Sequence, residues 1–166
     1  MIEKIIEHFG LEKHPEGGYF REVYRSENYI ENESLPENIV GRRSYATSIY
    51  FMLTSDEVSK LHRIKSDETW HFYGGDPLVV LEIDEDGNVH RTVLGNDFLN
   101  GQQLQYTVRA NRWFGAYLED GGEYSLVGCT VAPGFDFRDF EMAQMTHLNE
   151  EFPEIEFDDK IVNELI

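Results

Sequence analysis

His62 and Glu68 stand six residues apart in the stretch 61–75, LHRIKSDETWHFYGG, which ends on a glycine pair. A neutral imidazole beside a carboxylate can hold a divalent metal, or it can move protons with a pKa tuned by the carboxylate. Side chains alternate along a strand, so His62 shares a face with Ile64, and Glu68 shares one with Trp70 and Phe72. A connection at Lys65-Ser66-Asp67 brings His62 and Glu68 opposite each other across a hairpin. A carboxylate within an aromatic strand is costly to bury without a partner, which marks Glu68 as a pocket residue. The plainer alternative for His62 is a core histidine bonded to backbone. His71 points to the opposite face by simple alternation and joins a pocket only if a bulge intervenes.

Other groups could line the same pocket. Glu16, Tyr19 and Arg21 lie in HPEGGYFRE (14–22) and could bind a ligand at its mouth, although Glu-Gly-Gly also suits a plain tight turn. Trp113 reads equally as a stacking platform or as core fill. Asp136, Asp139 and Glu141 suggest a charged loop and helix start, and His8, His90 and His147 suggest surface positions. Cys129 is the only cysteine, so no intramolecular disulfide can form. Its apolar neighbours make it a buried, inert thiol.

The elements that would position these groups are mostly strands. Ile2, Ile5, Ile6 and Phe9 recur at helical spacing before Gly10, which predicts a short amphipathic helix. A strand is expected over 19–26 and a polar, exposed loop over 27–38. Further strands are expected near 45–53, 58–64, 68–73, 77–83, 89–94, 104–109, 112–118 and 123–131. Asp86-Gly87-Asn88 is the clearest hairpin signal. A helix-compatible stretch runs to about 149. With 11 Phe, 9 Tyr and 2 Trp, the composition also favours sheet over helical bundle. So many short strands without long helices between them mean a sandwich or barrel, within one domain spanning 1–166.

Formal charge is −18, with 32 acidic residues against 14 Lys and Arg. Nucleic acid and anionic membrane are therefore not expected partners, since phosphate neutralisation needs clustered basic groups. No apolar run approaches membrane-spanning length and no signal-like segment opens the chain, so a cytoplasmic location is the default expectation.

His62, Glu68 and Gly75 match the first His, the Glu and the closing Gly of the cupin motif G-x5-H-x-H-x3-4-E-x6-G, with Ile64 at the second His. In the second cupin motif Trp113 falls at the last His and Tyr117 at the Asn. Longer stretches resemble the cupin_5 family: HPEGGYFRE (14–22), IYF (49–51), SDETWHFY (66–73) and VGCTVAPGFDF (127–137). That resemblance implies an all-β jelly-roll β-barrel (double-stranded β-helix) with short N- and C-terminal helices, paired as a homodimer. A more distant similarity, Leu61-His62 and Gly18–Glu22, is to dTDP-sugar 3,5-epimerases, cupin-type enzymes without a metal. Their chemistry implies a base, His62, opposite an acid supplied by Tyr50, Tyr117 or Tyr124.

The resulting expectation is a pocket for a small polar metabolite, such as a sugar or nucleotide sugar. His62 acts as base and Glu68 orients it, while Glu16, Tyr19, Arg21, Tyr50, His71, Trp113 and Tyr117 contact the ligand. No cofactor is expected, because Ile64 and Trp113 replace two metal ligands. The alternatives are a non-catalytic metabolite-binding module and a divalent-metal enzyme with a reduced ligand set of His62, Glu68 and His71.

Overall fold

The computed structural model describes residues 1–166. A short helix, α1 (Ile2–Phe9), leads into thirteen strands. These are β1 (Glu12–Lys13), β2 (Tyr19–Arg25), β3 (Tyr29–Ile30), β4 (Arg43–Ser44), β5 (Thr47–Thr54), β6 (Ser59–Arg63) and β7 (Asp67–Gly75). They continue as β8 (Leu78–Ile83), β9 (Val89–Leu94), β10 (Gln105–Val108), β11 (Trp113–Leu118), β12 (Tyr124–Ala132) and β13 (Glu141–Met142). A second helix, α2 (Met145–Glu151), and a helical turn over Ile161–Leu165 close the chain. No helix is long and apolar enough to cross a membrane.

The long strands form two antiparallel sheets. One runs β1-β2-β5-β12-β7-β10 and the other β13-β6-β11-β8-β9. Period-two alternation in the sequence decides which side chains meet between them. Phe51 and Leu53 of β5, Trp70 of β7 and Val127, Cys129 and Val131 of β12 point inward from the first sheet. Leu78 and Val80 of β8 with Phe114 and Ala116 of β11 point inward from the second, and together they make one buried cluster. Apolar burial at roughly 25 cal/mol per Å² makes this interface the main source of stability.

The alternate residues of the second sheet point the other way. Trp113, Leu81 and Ile83 pack there under Leu148, Phe152, Ile161 and Leu165, so the C-terminal segments cover an apolar outer face.

The eight strands expected from 45 onward are all present, with ends no more than two residues from those expected. The short strands β1, β3, β4 and β13 lay below the sequence signal. The loop over 27–38 contains β3 and a 3-10 turn at Asn32–Ser34. The ladders leave two open sheets rather than one continuous closed barrel. An isolated bridge from Leu94 to Gln103 marks where β9 approaches the segment leading into β10.

Candidate functional site

A cavity of about 310 Å³ opens between β6 on one side and β2, β5, β7 and β12 on the other. The segment 135–140 forms its remaining wall. His62 enters from β6, and Ile64 from just beyond that strand's end. Glu68 enters from β7 and Cys129 from β12; His14 and Glu16 come from the turn before β2. Phe20, Ile49, Val131, Phe135, Phe137 and Phe140 supply most of the apolar surface.

The turn holding Glu16 is fixed by backbone bonds. The Lys60 N–H donates to the Glu16 carbonyl (2.8 Å), which ties the turn to β6 two residues from His62. Gly17 has φ +107°, and a Cβ there would collide with the Val58 carbonyl oxygen. Gly18 has φ +74° and abuts Leu53 and Met52. Only glycine meets both demands without strain, so the glycine pair lets Glu16 reach the cavity.

Three groups then meet. Glu16 Oε2 lies 3.1 Å from His62 Nε2 and 3.4 Å from His14 Nδ1. The Ser59 hydroxyl donates to Glu16 Oε1 (2.9 Å). On the far side of its ring, His62 Nδ1 lies 2.6 Å from the Lys60 carbonyl oxygen. A carbonyl only accepts, so Nδ1 carries a hydrogen and Nε2 is left to share a proton with Glu16. Burial pushes the Glu16 carboxyl up to about 7, against the lowering influence of His14 and the Ser59 hydroxyl. It pushes His62 down, against Glu68 and the Lys60 carbonyl. Both shifts favour the neutral pair, with the proton on Glu16 and donated to His62 Nε2. His14 is also lowered, chiefly by burial, and its Nδ1 accepts from the Glu16 backbone N–H (3.3 Å).

Glu68 is buried to 8% exposure, yet no N–H or O–H donor reaches its carboxylate. Burial pushes it up to about 7; His62 opposes the rise, Glu16 adds to it, and the neighbouring Cys129 thiol lowers it slightly. Cys129 is itself raised well above the ordinary thiol range by burial and by Glu68. The buried thiol expected from the sequence is found, but it lines the cavity rather than plain core.

Of the residues singled out in the sequence, His62, Glu68 and Glu16 come together in this cavity, and Ile64 joins them. The partner of His62 Nε2 is Glu16 rather than Glu68. Tyr19, Arg21, Tyr50 and His71 lie on the opposite, outer face of the first sheet. There Lys13 sits 3.9 Å above the Tyr19 ring. Arg21 donates to the Phe9 carbonyl (2.9 Å), and Tyr50 packs between Phe9 and Tyr73. His71 bonds Thr130 (3.0 Å) and Gln105 (2.9 Å), because the irregularity in β7 comes only at Tyr73, beyond it. Trp113 and Tyr117 lie on the outer face of the second sheet. Trp113 is covered by α2 and donates from Nε1 to Glu151 (3.1 Å), and Lys160 lies 4.4 Å above the Tyr117 ring. Asp139, expected in a charged loop, is buried in a two-bond pair with Arg43, both bonds 2.7 Å.

His14 escaped the sequence reading because its link to His62 is made through space by the turn. The signal for it was the HPEGG stretch itself, where a carboxylate precedes two adjacent glycines.

A metal does not suit this donor set. Ile64 presents an apolar side chain where the metal-binding pattern needs a second His, and Trp113 faces away from the cavity. Both nitrogens of His62 already have partners, and no group of three or more His, Cys, Asp or Glu side chains converges to hold an ion.

Two packed antiparallel sheets around a cavity with an acid–base cluster define a cupin-type protein. Residues 3–143 match the family model described as Cupin superfamily (DUF985), and the chain belongs to that family. An uncharacterized protein of Saccharomyces cerevisiae is 31% identical over 147 residues, which span 83% of this chain and 73% of the yeast protein. The structure of a hypothetical protein from Leishmania major is similar with a TM-score of 0.82 and 39% identity, over 92% of each chain. An oxalate decarboxylase variant of Bacillus subtilis shares the fold at a TM-score of 0.54 and 16% identity, over 79% of this chain and 29% of that one.

Proposed function

We propose that this cupin, read as a jelly-roll barrel, binds a small metabolite in the cavity and exchanges protons with it without a metal, as an isomerase or epimerase does. The observation that carries this reading is the Glu16 Oε2–His62 Nε2 pair, 3.1 Å apart in a cavity that also holds Glu68, whose one close partner is the Cys129 thiol. Burial pushes Glu68 up to about 7, which suits a group that takes a proton from carbon near neutral pH. The Glu16–His62 pair holds one proton between two atoms and can give it to the ligand's other face or take it back. One proton leaves the ligand and one returns, so the ligand's composition is unchanged.

The test is exchange of carbon-bound hydrogen for solvent deuterium across a panel of neutral sugars, amino sugars and nucleotide sugars, followed by NMR. Exchange with one compound, lost in Glu16→Gln and in Glu68→Gln, is the expected result. Absence of exchange with every compound, including any that binds, overturns the catalytic reading.

A second reading is a non-catalytic binding module, favoured by the largely aromatic and aliphatic wall. It expects a ligand that stabilises the protein without being turned over, by roughly 2.7 kcal/mol at a hundredfold excess over Kd.

A further inference from the structure

We infer that the cavity is built for an organic cation, an amine or methylated ammonium carried on an apolar frame. This rests on the reading of the cavity as the ligand site and names the class of ligand.

Four carboxyls line the cavity, those of Glu16, Glu22, Glu68 and Asp136, against a single Lys or Arg, Arg25. Arg25 is already committed. It clamps Glu22 through two bonds (3.0 and 2.7 Å) and donates to the Phe135 carbonyl (3.0 Å). Asp136 is likewise held by Arg138 (2.9 and 2.7 Å). These two carboxylates are neutralised, and Arg25 is not left free to meet an anion. Glu16 has Ser59 and His62, whereas Glu68 has no N–H or O–H donor. A carboxylate that is more than nine-tenths buried and faces a cavity without such a donor is a place for a positive charge to complete.

The wall supplies the second half of such a site. Phe135, Phe137 and Phe140 form a mutual cluster with ring centroids 4.9, 6.2 and 5.9 Å apart. His14 and Phe20 pack 4.6 Å apart on the same cavity. Aromatic rings beside a carboxylate attract ammonium groups through the ring quadrupole and shelter the carbon attached to them. An anion of the same shape meets carboxylates and ring faces, so the cavity also selects by repulsion.

Benzylamine, benzyl alcohol and benzoate share one frame and differ in charge, so they separate the two parts of this inference. Binding to the intact protein at pH 8 would be followed by calorimetry and by amide shifts at Phe20, Val131 and Phe140. Benzylamine is expected to bind at least about tenfold more tightly than benzyl alcohol, and benzoate more weakly than either. Glu68→Gln should weaken benzylamine at least about tenfold and benzyl alcohol by less, and a wild-type-like amide spectrum shows that the variant's cavity is intact. Benzoate binding as well as benzylamine, or benzylamine binding unaltered in Glu68→Gln, overturns the cation inference while leaving a working cavity. If none of the three shifts the cavity amides at millimolar concentration, the cavity reading itself falls and the cation inference with it.

Discussion

Burying Glu68 without an N–H or O–H donor costs the fold, because an ionised carboxylate loses its water and gains only a thiol neighbour. Its pKa in the folded protein is about 7 against an ordinary 4.5, so the folded chain holds a proton that the unfolded chain has lost. Stability from this group therefore falls as pH rises through that window, and the deficit is complete above pH 7. Glu68→Gln replaces the carboxylate with a neutral group of similar shape. It is expected to raise stability at pH 8 by about 1–3 kcal/mol, with about 2–4 °C in Tm per kcal/mol for a chain of this size. The gain should shrink toward pH 4.5. Thermal melts of both proteins across pH 4.5 to 8 check this, and a variant less stable than wild type at pH 8 would show that Glu68 has a partner after all. Glu16→Gln should behave differently. An amide can donate to His62 Nε2 but still accept from Ser59, so the pair keeps its geometry and loses its transferable proton. Near-unchanged melting at pH 6 with loss of deuterium exchange is the expected result.

The turn at 14–18 is the element that makes a site of these residues. It carries Glu16 to His62 through the Gly17-Gly18 pair and the bond from Lys60 N–H to the Glu16 carbonyl (2.8 Å). Gly17→Ala forces a side chain against the Val58 carbonyl at positive φ, so the turn must shift away from β6. A loss of about 1–3 kcal/mol is expected, together with loss of ligand binding, whereas Gly121→Ala, which meets no atom at its Cβ, should cost less and leave binding intact. Melting and calorimetry on the two variants check the contrast. The long strands were legible in the sequence because their alternation and their glycine or Asp-Gly-Asn turns agree locally. His62, Glu68 and Ile64 were legible by their spacing, but not through the expected hairpin: β6 and β7 enter different sheets, and His62 and Glu68 meet across the cavity between them. Residue type alone did not place Arg21 and Tyr50; their face is set by register, with Arg21 opposite Tyr50, whereas alternation already turned His71 to the outer face, opposite Gly128. Trp113 and Phe114 are adjacent large aromatics, and pattern could not say which faces inward. The C-terminal cover over Trp113 decides it, and that cover is a long-range contact.

At the scale of the whole molecule, the outer face of the first sheet has only partial cover. The second sheet's outer face lies under α2 and the C-terminal turn, but the first sheet's has α1 near Tyr50 and then a half-buried strip along β12, β7 and β10. Gly128 lies in that strip, and the Tyr73 ring packs on it while remaining 53% exposed. His71 stacks parallel to Tyr73 at 6.5 Å, and Thr130 and Gln105 flank it. We propose that this strip of aromatic and small polar side chains pairs with its own two-fold copy, giving a homodimer through this face. Each protomer carries a formal charge of −18, so the pair must overcome mutual repulsion that salt screens. Association should therefore tighten as ionic strength rises, the reverse of an interface held by opposite charges. Light scattering at micromolar concentration should give twice the 19.3 kDa chain mass in moderate salt, with dissociation favoured at low salt. Tyr73→Asp adds a charge to the strip while leaving the inward faces untouched, and it should give the monomer mass with the cavity's ligand binding preserved. A wild-type chain that stays monomeric at every salt concentration would overturn the assembly without touching the site.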